Sequence, residues 1–525
     1  MKTNPILIAL CFFMTMIPSA FAQTTESAPA PQTKPDNTKT ARTKLTPEQE
    51  QYNKAINDFN TATRTNDKAL IASDISELQA LALLPDYQNK PVVHNLLGYL
   101  YLTQNDPASA VPELQKTVQL SPDDLDARNN LGSALRQTQK YNDAATQYQY
   151  ILDHPQTTPS GLDTTKVKFN LATALGQAGR LDESLALFAE LAAANPDAAT
   201  MKNYGFFLQK AGKTAEAADA LRKAGELNPK DSSVWLSAGE LYVKAGNNDQ
   251  AISALNKALS PDATPLDVDS KYQAEFALGE AYAANGVTTE AITEFQDAAT
   301  LQPLNATPLY NAGVLQEQAN LKADAETSYR SALALDADNL QIQTALGLLL
   351  ANEGKTAEAA AQLSQTAPKL PQDSNAALIY ARLGDLYAKL KQPAKADIAW
   401  RQALALNPTD ADTEIALAGS YLAQKQYVSA LAQFDAAAQA RPQDAAIQNG
   451  RGTAYQKLRQ YPRALAAFQK ALALDPTSAQ IQNNVGVVYE LLGKQPLAIK
   501  AYKKALALNP YLREARLNLN RFARH

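Results

Sequence analysis

The chain has 525 residues, a formal net charge of −4, 45% hydrophobic residues and 7% aromatic residues. Ala and Leu dominate and β-branched residues are sparse, a composition that favours helix over sheet. The near-neutral charge excludes a nucleic-acid or anionic-membrane partner held by bulk charge, and a single cysteine, Cys11, excludes a disulfide framework within the chain.

Residues 1–22 read as an export signal. Lys2 gives a short basic start, residues 6–17 are an apolar run, and Ala20-Phe21-Ala22 supplies a small–x–small cleavage pattern before Gln23. The rival is an uncleaved anchor, but the run is short for a span and is followed by Pro18, which favours cleavage. Acylation at Cys11 is disfavoured by Leu10, where a small residue is expected. Cleavage would remove Cys11 and leave a mature chain without thiols, held by packing alone. Residues 23–46 are rich in Thr, Pro, Ala and charge, and read as a disordered linker. Residues 47–90 carry two helical patterns, Tyr52, Ala55, Ile56, Phe59 and Ile71, Ile75, Leu78, Ala82, expected to form a degenerate opening repeat or cap.

From there the chain is periodic. "ALALNP" stands at 403–408 and again at 505–510, three times 34 residues apart. Glycines mark the period at 98, 132, 205, 239, 279, 313, 347, 384, 452 and 486, with Ala172 and Ala418 in the same slot. Most steps are 34 residues, with two of 40 at Ala172 and Gly279, one of 33 at Gly205 and one of 37 at Gly384. Twelve residues on lies a column of alanine, broken by Ser184. Three residues after the glycine the side chain is bulky, with Gln316 the exception. Small residues let two antiparallel helices, A and B, approach closely, and a bulky side chain there would cost about 1–3 kcal/mol per site. Pro107, Pro393, Pro462 and Pro496 stand where helix B starts, and a missing N–H is harmless there. "NP" and "DP" close many units and turn the chain into the next one. The weakest unit is 125–164, with Ile151 where small residues recur elsewhere and a longer loop, "DHPQTTPSGLDTT". Residues 511–525 are expected to form a capping helix with Leu517, Leu519 and Phe522.

The pattern resembles the tetratricopeptide repeat family, with the clearest copies in "NGRGTAYQKLRQYPRALAAFQKALALDP" and "NNVGVVYELLGKQPLAIKAYKKALALNP". The resemblance covers residues 91–510. It implies an all-α fold, an α-solenoid of about twelve helix-turn-helix repeats in a right-handed superhelix, with the A helices lining the concave side.

Catalysis finds little support. "GKT" at 212–214 and 354–356 lacks the glycine that a phosphate loop places five residues earlier, since Phe207 and Leu349 stand there. His94, His154 and His525 lie apart without metal-ligand spacing, so neither a metal nor a cofactor is expected.

The family places the residues two before and one after the glycine on the inner wall. Asparagine fills the first of these at Asn130, Asn170, Asn203, Asn311 and Asn484. An amide complements a peptide unit, and stacked helices lie about 8–10 Å apart, about three residues of extended chain. These five are candidates for a ladder that grips a ligand's main chain. The competing role is bonding to neighbouring helices or water. Arg136, Lys166, Lys202, Lys210 and Lys244 form a candidate basic stretch that would favour an acidic segment or a carboxylate terminus, against the plainer role of a solvated face. The family's carboxylate clamp is not matched by any three consecutive units. Phe169, Phe206, Phe276 and Tyr310 are groove or packing aromatics.

The expected function is a non-enzymatic, exported scaffold, periplasmic or secreted, or outer-membrane associated through a partner. It would bind extended peptides or protein segments in its concave groove and assemble a cell-envelope or secretion complex. The alternatives are an accessory subunit of an exopolysaccharide or pilus export machine, or a recognition arm regulating a partner enzyme.

Overall fold

The computed structural model describes residues 46–65, 68–154 and 162–522. The expected export signal at 1–22 and all but the last residue of the expected linker at 23–46 lie outside the described residues, as does His525. Among the described residues no helix is long and apolar enough to cross a membrane.

The described residues fall into two compact units that divide after Leu301. The first opens with a hairpin of α1 (Pro47–Thr65) and α2 (Lys68–Ala82). Three A–B pairs follow: α3 (Pro91–Thr103) with α4 (Pro107–Leu120), α5 (Leu125–Gln137) with α6 (Tyr141–Asp153), and α7 (Thr164–Gln177) with α8 (Leu181–Ala194). Three more complete the unit: α9 (Ala198–Lys210) with α10 (Thr214–Leu227), α11 (Ser232–Ala245) with α12 (Asn248–Ala258), and α13 (Val268–Ala284) with α14 (Thr288–Leu301). The second unit begins with α15 (Ala306–Gln318) and α16 (Lys322–Leu335), α17 (Leu340–Asn352) and α18 (Thr356–Thr366), and α19 (Ser374–Lys389) and α20 (Pro393–Leu406). It ends with α21 (Ala411–Ala423) and α22 (Tyr427–Ala440), α23 (Ala445–Lys457) and α24 (Tyr461–Leu474), and α25 (Ala479–Leu491) and α26 (Gln495–Leu508), followed by α27 (Arg513–Phe522). The fold is an all-α solenoid.

Three columns build each pair. The column glycine meets the residue sixteen positions later on helix B. A Cβ on Gly132 would stand 2.7 Å from the Tyr148 ring, on Gly384 2.4 Å from Trp400, and on Gly486 2.5 Å from Tyr502. The space thus receives a large side chain, where the sequence pattern had pointed to close approach of two backbones. Seven residues after the column, every A–B turn holds one left-handed residue, from Asn105 (φ 58°) to Gly493 (φ 74°). Gly212 (φ 77°) and Gly354 (φ 81°) are in this column, so the turn accounts for both "GKT" triplets. From α5 onward each A helix is capped by an Asp, Asn or Ser side chain, such as Asp124 Oδ1 on the Ala127 N–H (2.9 Å) and Asp197 Oδ1 on Thr200 (2.9 Å).

The unit expected to be weakest forms a complete pair. Tyr148 and Ile151 are buried against Gly132 and the following A helix, so the larger residue is accommodated by the core. Ser184, the exception in the alanine column, donates its hydroxyl to the Ala172 carbonyl at 2.6 Å. Gln316, the exception in the bulky column, accepts from Ser328 Oγ at 2.7 Å, with both side chains buried. At the last repeat α27 packs Phe522 on the Tyr502 ring and ties Asn518 to Asn483 at 3.0 Å.

Candidate functional site

Within each unit several A helices of consecutive repeats touch, α11 and α13 most extensively, while consecutive B helices make no comparable contact. The A side is therefore the tighter, inner side of each stack, and its side chains form the candidate binding wall.

The five asparagines are not equivalent on that wall. Asn170 on α7 and Asn203 on α9 are half-buried. Asn203 donates Nδ2 to the Ala199 carbonyl of its own helix at 2.9 Å, which leaves its carbonyl oxygen for a partner. Asn484 on α25 is spent between helices, since Nδ2 donates to Asn449 Oδ1 at 3.0 Å. Asn130 and Asn311 depart from the expectation. Both are buried, Asn130 completely, so neither offers its amide to a ligand in this conformation. Asn130 lies on α5, which touches α3, and Asn311 on α15, which touches α17. Neither amide atom of Asn130 has a hydrogen-bond partner.

The basic stretch is likewise broken up. Lys202 forms an ion pair with Asp231 Oδ2 at 3.0 Å. Burial pushes the Asp231 carboxyl up, but hydrogen bonds from Ser233 and Lys202 outweigh it and hold the group below its ordinary value. Arg136 is half-buried with Nε enclosed and unbonded, while Lys166, Lys210 and Lys244 are exposed. The same aspartate borders a polar hollow of about 370 Å³ at the N-termini of α11 and α13, lined by Lys230, Ser232, Thr264 and Asp267 among others.

Two residues of the inner wall escaped the sequence reading. Glu240 on α11 and Glu280 on α13 both stand one residue after the column glycine, on A helices that touch. Each is half-buried by exposed area, yet the wall crowds water away, and burial pushes each carboxyl up to about 7. No described cation forms an ion pair with either. The signal was present in the sequence, since both stand in the inward-facing register one after Gly239 and Gly279. The wall at α11 and α13 therefore carries two carboxyls that ionise only near neutral pH.

The aromatics serve packing. Phe169 meets Phe188 edge-on at 5.7 Å, Phe276 meets Phe295 at 5.3 Å, and Tyr310 meets Tyr329 at 5.9 Å. Phe206 rests on Phe207 at 5.1 Å. All four are half-buried. His94 bridges Glu113 Oε2 (2.6 Å) and the Gln88 carbonyl (2.9 Å), and His154 stacks on Tyr150 at 4.1 Å, so both serve the scaffold. Among the described residues no group of three or more His, Cys, Asp and Glu is placed to hold a metal.

Comparison with known proteins agrees with this architecture. One tetratricopeptide repeat profile matches residues 95–159, 169–204, 276–339, 310–375 and 449–512; two others match 208–274 and 377–410. Human Superkiller complex protein 3 is 29% identical over 113 residues, which span 22% of this chain and 7% of that protein. Among solved structures, MamA from Desulfovibrio magneticus RS-1 is 23% identical over 34% of this chain and 98% of its own, with a TM-score of 0.31. The APC/C hetero-tetramer Cut9-Hcn1 is 17% identical over 91% of this chain and 96% of the matched chain, also with a TM-score of 0.31. Repeat period, paired helices and matched profiles agree: the chain belongs to the tetratricopeptide repeat family, whose members are in general modules that bind protein partners.

Proposed function

We propose that this protein is an exported, non-enzymatic scaffold that holds extended polypeptide segments against its A helices and so assembles a cell-envelope or secretion complex. The observation that carries the reading is the set of half-buried polar groups that the core does not consume: Asn170, the Asn203 carbonyl, Glu240 and Glu280 on α7, α9, α11 and α13. Adjacent A helices at about 8–10 Å match about three residues of extended chain, so such groups can meet successive peptide units. The Glu240 and Glu280 carboxyls favour a segment that brings Lys or Arg to them. Export rests on residues 1–22 with their basic start, apolar run and small–x–small pattern.

Replacing Asn170 and Asn203 together by Ala should weaken capture of extended peptides at least about tenfold, the scale of one or two lost hydrogen bonds, with helicity unchanged. Fluorescence anisotropy with a panel of basic and acidic peptides reads the effect. Unchanged affinity in the double variant, or a preference for acidic peptides, would reject this wall as the holding surface.

A further inference from the structure

Outside the A-helix wall, the least satisfied group in the described chain is in the opening hairpin. Asp74 on α2 is completely buried, and neither carboxyl oxygen has a hydrogen-bond partner. Oε2 of Glu77, one turn further on, is also buried and unbonded. Across the hairpin, α1 presents Asp58 and Lys54, and the lysine is already divided between Asp58 Oδ2 (3.0 Å) and Glu77 Oε1 (2.5 Å). The other helix packed on α2 is α3, whose titratable side chains are occupied elsewhere. His94 bridges Glu113 and the Gln88 carbonyl, Tyr101 accepts from Gln79, and Tyr99 rests on the Phe59 ring. Two carboxyls thus bond the one cation, and Asp74 feels it only at a distance, too weakly to offset its burial.

The hairpin docks on the first repeat through an apolar seam, in which Phe59, Ile71, Leu78 and Leu81 meet Val93, Leu96, Leu97 and Leu100 of α3, with the Gln79–Tyr101 bond and the Tyr52–Tyr87 ring contact at its edges. An ionised carboxylate in such a seam, with no donor, is expensive; the neutral acid costs far less.

We propose that the α1–α2 hairpin is an acid-seated cap: one proton on Asp74 lets it close on the first repeat, and loss of that proton loosens it and bares the apolar face of α3. Burial, then repulsion from Asp58 and Glu77, pushes the Asp74 carboxyl up to about 6, against an ordinary value of 3.8. A group that binds its proton more tightly when closed favours closure as pH falls. Between 3.8 and about 6 each pH unit shifts the balance up to tenfold, and above that range it levels off. From pH 5 to pH 7.5 the opening constant should rise about tenfold.

Hydrogen exchange of the full chain at pH 5 and pH 7.5, corrected for intrinsic rates, tests this. The α1 and α2 amides should open about tenfold more readily at pH 7.5, while α24 and α26 serve as controls. Asp74→Asn should remove the pH dependence and give the protection of the closed cap at both values, and Glu77→Gln should keep the dependence. Equal wild-type protection at the two pH values overturns the proposal whether or not either variant folds. So does a pH dependence that survives in Asp74→Asn or vanishes in Glu77→Gln alone.

Discussion

A methyl group on Gly384 would lie 2.4 Å from both Cδ1 and Nε1 of the Trp400 ring, closer than real Cβ contacts come. The indole is rigid and its Nε1 donates to Asp385 at 3.2 Å, so it has little freedom to yield. Gly384→Ala should therefore destabilise the protein by about 1–3 kcal/mol. Gly419 is the contrast. It is in the interior of α21, directly after Ala418 of the column, and nothing lies within 4 Å of an added Cβ. Gly419→Ala should stabilise by about 0.5–1 kcal/mol through the unfolded chain and helix propensity. Urea denaturation of the two variants reads both signs, and a neutral Gly384→Ala would mean that the column is not steric. The glycine column was legible from spacing alone. Its partner, sixteen residues on, was not, because Leu114, Tyr148, Phe295, Trp400 and Tyr502 share size without sharing identity.

At the scale of the helix pair, breaks in the pattern are repaired by a partner on the facing helix. Gln316 on α15 stands where other repeats place Leu or Tyr, and Ser328 on α16 answers it with a hydroxyl donated at 2.7 Å. Ser328→Ala alone leaves the buried Gln316 carbonyl without that donor and should cost about 1–3 kcal/mol. Ser328→Ala combined with Gln316→Leu removes both polar groups and should recover most of the loss. A double-mutant cycle in urea would then give a coupling of about 1 kcal/mol or more, and strict additivity would mean that the pair does not interact. The sequence marked Gln316 as an anomaly but could not pair it with Ser328, because the bond joins different helices. The asparagines followed the same rule. Their shared register made them look alike, yet Asn203 bonds within its helix, Asn484 bonds to Asn449, and Asn130 bonds to nothing.

Over the whole molecule, buried carboxyls set the response to pH. Burial pushes Glu240, Glu280 and Glu294 from an ordinary 4.5 up to about 7, with Glu275 and Asp297 adding to the effect on Glu294. Such a group keeps its proton when folded after the unfolded chain has released it, so stability falls as pH rises through this window and levels off above it. Asp106, Asp267 and Glu326 lie below their ordinary values through hydrogen bonds, and they withdraw stability only as pH drops towards the acid range. Maximum stability should therefore fall near about pH 5. The melting temperature of the full chain should be higher at pH 5.5 than at pH 8, and Glu240→Gln with Glu280→Gln should narrow the gap. A melting temperature that rises from pH 5.5 to pH 8 would contradict the burial of these groups.

By itself the sequence determined the repeat: its period, the two helices of each unit, their proline starts and the small residues that let them pack. These are local regularities, repeated along the chain, and each unit touches only its neighbours. Tertiary structure decided which polar side chains are free. Whether Asn170 is open and Asn130 closed, whether Lys202 is a free cation or the partner of Asp231, and whether Asp74 finds a donor all depend on how closely one helix meets the next. That distance is set by side-chain volumes drawn from separate helices, and no single stretch of sequence contains it.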